Sequence, residues 1–118
     1  MHIGEFAKRS GISERMLRYY ENRGALTPRR SDAGYRQYSE ADLRQATLVR
    51  QLNEAGLKLD SVALLLPCLV DDAPHFDPCD RVRATLAHEL SALDQKLDAL
   101  QQSRTRLARL VDQVENAV

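Results

Sequence analysis

Two sets of side chains in this 118-residue sequence have types and spacings suited to chemistry or binding. The first is Cys68, His75 and Cys79, spaced Cys-x6-His-x3-Cys, with Asp71, Asp72 and Asp77 interspersed. Thiolate and imidazole are ligands for soft metals. The first turn of a helix, where Cys79 is expected, is a setting that favours reactive thiols. A metal ion or a redox thiol switch at Cys68 and Cys79 is one reading, and no cofactor is certain. The spacing matches no compact metal motif, and the other reading is thiols that fill gaps beneath a loop.

The second set is cationic and aromatic. Between Lys8 and Arg36 stand eight basic residues, opposed by Glu14, Glu21 and Asp32. The chain as a whole is neutral, but residues 1–60 hold eleven Lys and Arg against eight Asp and Glu. Positive charge gathered this way fits a phosphate-facing surface. At about 100° per residue, Ser13, Met16, Leu17 and Tyr20 fall on one side of a helix and Arg15, Arg18, Tyr19 and Asn22 on the other. Guanidinium forks, an amide and a phenol on one face are what a major-groove reader presents, although a solvated charged face has the same composition. Arg29, Arg30 and Arg36, interleaved with Tyr35 and Tyr38, add a second basic patch, in which Tyr38 or Tyr35 can instead pack into the core. Lys58 stands where a further helix begins, either facing a phosphate or merely solvated.

The elements that must position these residues can be read in order. Ile3 to Arg9 is short and amphipathic, Gly11 breaks it, and Ser13 caps a second helix running to Asn22, with Gly24 as its stop. Two short helices joined through a glycine turn suggest a helix-turn-helix. Thr27–Arg30, Ser31–Gly34 and Tyr35–Tyr38 then read as strand, turn and strand, a hairpin wing. Ser39 to Asp42 has the form of a capping box and opens a helix carrying Leu43, Ala46, Leu48, Leu52 and Ala55 up to Gly56. A shorter helix from about Lys58 to Leu66 contains the run Val62–Leu66, apolar on nearly all sides and expected to be wedged between other elements. Residues 67–77 read as a linker loop, after which Asp77 suits an N-cap and Pro78 a first helical position.

After Pro78, as far as Val118, there is neither Gly nor Pro. Leu86, Leu90, Leu93, Leu97, Leu100, Leu107, Val111, Val114 and Val118 recur at alternating gaps of four and three, broken by Arg104. This is a coiled-coil seam. A helix of roughly 38 residues is about 57 Å long, well beyond the reach of a small head. Burying its stripe calls for a second copy, so the expectation is a homodimer. The sequence therefore predicts a mainly α protein with three parts: a winged helix-turn-helix head over 1–66, a linker over 67–77 and a dimerisation helix over 78–118.

Several ordered motifs together resemble the MerR family of bacterial transcription regulators. They are Ile3-Gly4-Glu5-Phe6-Ala7, Gly11-Ile12-Ser13, Leu17-Arg18-Tyr19-Tyr20-Glu21, Gly24-Ala25-Leu26-Thr27-Pro28, Gly34-Tyr35-Arg36-Gln37-Tyr38 and Gly56-Leu57. The resemblance is specific over residues 2–66 and generic over the long helix. It implies a dimer whose long helices pair as an antiparallel coiled coil, placing two heads on a palindromic promoter with an overlong spacer. Such regulators bend and untwist promoter DNA for RNA polymerase, a form of indirect readout. It also implies DNA contacts by Arg15, Arg18, Tyr19, Arg30, Arg36, Tyr38 and Lys58. Family members commonly continue into a metal-binding loop or drug-binding domain, whereas this sequence ends at Val118. Cys79 resembles the cysteine that opens the dimerisation helix in metal-sensing relatives, but nothing matches their ligands in the loop after it.

Two other functions fit the same residues: a coiled-coil protein-interaction module, and an architectural DNA-binding accessory protein without promoter control. An enzyme is not expected, since no Gly-rich phosphate loop or nucleophile elbow occurs and His2, His75 and His88 are scattered. No apolar run approaches the roughly 18 residues of a membrane span, and MHIGEF lacks the core of a signal peptide, so a cytoplasmic location is expected.

Overall fold

The computed structural model describes residues 1–70 and 76–117. Helix α1 (Ile3–Ser10) ends where Gly11 adopts φ 72°, a left-handed conformation that only glycine takes without strain, and returns its N–H to the Ala7 carbonyl. Helix α2 (Glu14–Asn22) starts at Ser13, whose hydroxyl accepts from the Met16 amide at 3.2 Å. Leu17 and Tyr20 are buried on its inner face. Met16, expected there too, is exposed, because its position at the edge of the face leaves it beside the cationic side rather than over the core.

The wing is shorter than its sequence suggested. Strand β1 (Arg29–Arg30) pairs antiparallel with β2 (Arg36–Gln37), Arg29 opposite Gln37 and Arg30 opposite Arg36. The chain then enters α3 (Glu40–Glu54) through the expected box: Ser39 accepts from the Asp42 amide and Asp42 accepts from the Ser39 amide. Its buried residues are Ala46, Val49 and Leu52, so Val49 belongs to the inner stripe while Leu48 is half-buried and Ala55 exposed.

Helix α4 (Leu59–Leu65) runs into a single 3-10 turn (Leu66–Cys68). Val62 and Leu65 are fully buried, but Leu64 is 48% exposed, so the helix is covered on one side and not wedged on all. The linker is tied at its base: Leu69 bridges Phe76, and the Asp77 amide donates to the Cys68 carbonyl at 2.9 Å. Helix α5 (Asp80–Glu115) then begins two residues later than expected. Asp77 was expected to be the N-cap, but its carbonyl accepts from the Cys79 amide at 2.8 Å in a turn, and Cys79 takes the capping position.

One core unites the head, built from Phe6, Ile12, Leu17, Tyr20, Leu26 and Tyr38 with Val49, Leu52, Leu57 and Val62. The N-terminus closes it. The Met1 ammonium donates to the Tyr38 carbonyl at 2.7 Å, and the Tyr38 amide donates back to Met1 at 2.9 Å. Helix α5 meets this head with its N-terminal half: Val82 and Glu89 are buried, Glu89 accepts from the Ser61 hydroxyl, and Leu93 lies against Gly56. Its remainder projects outward, giving extents of 74 × 36 × 21 Å.

Candidate nucleic-acid interface

Because α2 buries Leu17 and Tyr20, the 3.6-residue period turns Arg15, Arg18, Tyr19 and Asn22 outward, and all four are exposed. The wing stands beside this face. Arg18, Arg30 and Arg36 line a single notch of about 200 Å³ together with His2, Ile3, Gly34 and Tyr35. Tyr19 lines a second notch on the α4 side, with Arg23, Lys58, Leu59 and Asp60. Lys58 is exposed at the residue that caps α4. The reading helix is thus flanked by a basic wing on one side and by Lys58 on the other.

Two residues that sequence reasoning passed over organise this surface. Glu21, at the inner edge of the face, accepts from Arg36 Nε at 3.0 and 2.7 Å and lies 4.0 Å from an Arg30 terminal nitrogen. The hydrogen bond to Glu21, with its charge, raises the Arg36 pKa above the ordinary guanidinium value. Arg23 lies over the Tyr19 ring at 5.4 Å and pairs with Asp60 at 3.4 Å, bracing Tyr19 against α4. Both were visible only as charges in the sequence, because their partners are 15 and 37 residues away.

Tyr38 departs from the DNA-contacting position that resemblance assigned to it. It is 2% exposed and stacks on Phe6 with ring centroids 4.5 Å apart, and its hydroxyl is buried with no hydrogen-bond partner among the described residues. Strand alternation accounts for this: Gln37 faces out, so Tyr38 faces in. Burial pushes its phenol pKa up. Tyr35 is 68% exposed at the wing tip, so of the two tyrosines it is Tyr38 that packs.

The seam residues Leu86, Leu90, Leu93, Leu97, Leu100, Leu107, Val111 and Val114 are all exposed along α5, and Leu110 is exposed as well. Val118 lies outside the described residues. Cys68 is half-buried, Cys79 is exposed, and both are free thiols. His75, Asp71 and Asp72 lie outside the described residues. Among the described residues no three His, Cys, Asp or Glu side chains gather as a metal site would require.

Comparison with known proteins decides the family. A family model described as MerR HTH family regulatory protein matches residues 1–68, and a second, described as MerR, DNA binding, matches residues 43–110. The chain belongs to the MerR family. This MerR-family chain is a DNA-binding transcriptional regulator. It is 37% identical over 113 residues to the HTH-type transcriptional regulator PA4778 of Pseudomonas aeruginosa, covering 95% of this chain and 83% of that one. It is 33% identical over 114 residues to the HTH-type transcriptional regulator CueR of Yersinia pestis, covering 96% and 80%. Its fold is similar to that of the transcription regulator PbrR691 from Ralstonia metallidurans CH34 in complex with lead(II). That match has a TM-score of 0.75 at 27% identity and covers 95% of this chain and 86% of the other. The MerR fold explains why a head and a bare helix occur in one chain.

Proposed function

We propose that this chain acts as a homodimer, joined by antiparallel pairing of α5, that binds a palindromic promoter with an overlong spacer and distorts it to control transcription by RNA polymerase. The observation that carries the reading is the row of cations on and flanking the reading helix: Arg30 and Arg36 on the wing, Arg15 and Arg18 on α2, and Lys58 beyond Tyr19. Arg18 is placed to meet base edges or phosphates in the major groove, with Arg36, Arg30 and Lys58 gripping the backbone on either side. Two such heads at opposite ends of a paired helix put phosphate contacts at both ends of one site. Bending and untwisting of the intervening DNA are then the natural consequence, with contact energy offsetting deformation. The role requires no bond-making step. No helix among the described residues is long and apolar enough to cross a membrane, and the work is assigned to the cytoplasm, where promoter and polymerase are.

The input to this switch is assigned to the base of α5, at Cys68 and Cys79, by thiol oxidation or a soft metal ion. The donor set among the described residues falls short of a closed metal site, so no step is routed through a metal. Oxidant treatment followed by mass spectrometry, with zinc and copper titrations, separates the two inputs from plain packing.

The deciding experiment is a fluorescence-anisotropy titration of the palindrome upstream of the gene, with circularly permuted fragments to measure bending. The expected result is nanomolar, salt-sensitive binding that weakens at least about tenfold in Arg18→Ala and bends the site. Binding no tighter than to random DNA would favour a protein-interaction role for α5; bending without a change in transcription would favour an architectural one.

A further inference from the structure

Glu21 is an anomaly on a phosphate-facing surface. It lies three residues after Arg18 on α2, near the notch that Arg18, Arg30 and Arg36 line, where a carboxylate repels the ligand the arginines attract. Its side chain is only 20% exposed, and its carboxylate binds inward on the wing. Arg36 uses Nε for both short contacts, at 3.0 and 2.7 Å, and its two terminal nitrogens make no hydrogen bond among the described residues. Arg30 is held twice, by the Gly34 carbonyl at 3.1 Å and by the more distant Glu21 oxygen. Arg36 is thereby tied to the helix that carries Arg18, with Arg30 at the outer reach of the same carboxylate, and donors of Arg36 are left over for a ligand.

We propose that Glu21 is a specificity-determining positioning residue, which locks the wing arginines to the reading helix and lowers attraction for DNA of arbitrary sequence. The inference rests on the promoter-binding reading above. Its physical content is a trade. One negative charge beside the notch weakens binding to any phosphate backbone, whatever the sequence. The same charge fixes where Arg36 and Arg30 stand relative to Arg18, which helps only when helix and wing engage the correct site together. A residue that merely stabilised the head would change affinity for all DNA in the same direction.

The test measures dissociation constants of the full-length chain on its operator and on a random duplex of equal length, across a salt series, for wild type, Glu21→Gln, Glu21→Ala and Glu21→Asp. Glu21→Gln keeps volume and removes charge, and thermal melts monitored by circular dichroism show whether each variant is folded. In Glu21→Gln and Glu21→Ala, random-sequence binding is expected to tighten about three- to tenfold while operator binding weakens or stays level, with a steeper salt dependence on random DNA. Glu21→Asp, which keeps the charge, is expected to recover part of the discrimination. An operator-to-random ratio within about twofold of wild type, or parallel weakening on both duplexes in folded variants, overturns the assignment. If wild type itself does not prefer the operator, the promoter reading fails and the assignment falls with it.

Discussion

A Cβ built on Gly56 would sit 2.8 Å from Leu93 Cδ1, and Gly56 holds φ +109°. Gly56 follows α3 and Leu93 lies on α5, so this close approach is where the head seats on the long helix. An added methyl meets two obstacles, a backbone conformation that L residues avoid and the leucine tip. Gly56→Ala is expected to destabilise the protein by about 1–3 kcal/mol, measured by urea denaturation. Adding Leu93→Ala separates the terms. Relief of the tip contact should recover only part of the loss, and full recovery would show that the backbone bears no strain.

The Phe6–Tyr38 stack makes a second expectation. The Tyr38 hydroxyl is buried without a partner among the described residues, so Tyr38→Phe removes a polar group that contributes nothing visible. Stability should stay level or rise by up to about 2 kcal/mol. Because the folded phenol pKa is raised by burial, the stabilising contribution of its neutral form is complete below the ordinary tyrosine value, about 10, and is lost as pH rises beyond it. Tyr38→Phe should therefore flatten part of the alkaline loss in melting temperature. Operator affinity is expected to remain within about twofold, since a group this buried cannot touch DNA where it stands. A tenfold loss would mean that Tyr38 swings out to a phosphate.

Local rules account for much of what was legible. The Ser13 cap, the Ser39–Asp42 box, the stop at Gly11 and the long uninterrupted helix α5 each depend on residues a few positions apart, and all four stand in the structure. The outward turn of Arg15, Arg18 and Tyr19 followed from the burial of Leu17 and Tyr20 by helical period alone. What escaped depends on long-range pairing. Glu21 reads as an opposing charge because its meaning lies in Arg36 across the wing, and Arg23 reads as one more surface cation because its partner is on α4. The start of α5 moved from Asp77 to Cys79 because the Cys68 carbonyl takes the Asp77 amide and closes the linker first.

Arg9 and Glu40 give a pH test. Both guanidinium terminal nitrogens of Arg9 meet both Glu40 oxygens, joining the last turn of α1 to the start of α3. The hydrogen bond from Arg9 lowers the Glu40 pKa in the folded state. A lowered carboxylate stabilises the fold above its unfolded value, about 4.3, and that contribution disappears as pH falls through the folded value. The melting-temperature difference between wild type and Glu40→Gln should therefore be positive but small at pH 7 and shrink toward zero in strong acid. It should also fall with added salt, because the pair is exposed. A difference unchanged down to pH 2 would show that the ion pair adds nothing.

Leu97 and Leu100 stand 56% and 67% exposed, midway along a helix whose apolar stripe runs on to Val114. Neither touches the head core, which is complete without them. Leu97→Glu with Leu100→Glu should therefore leave the head folded and abolish pairing. Four leucines per dimer are lost, and at about 2 kcal/mol each and about 1.4 kcal/mol per tenfold, the dimer constant weakens by nearly six orders of magnitude. Sedimentation equilibrium at micromolar concentration should then report a monomer, and operator binding should collapse to half-site strength. Leu64→Glu is the control, since it places the same charge on an exposed apolar residue of the head, away from the seam. It should still sediment as wild type does. A doubly substituted chain that remains dimeric would place the contact elsewhere, with the apolar groove between Leu52, Leu57, Phe76 and Leu90 as the next surface to substitute.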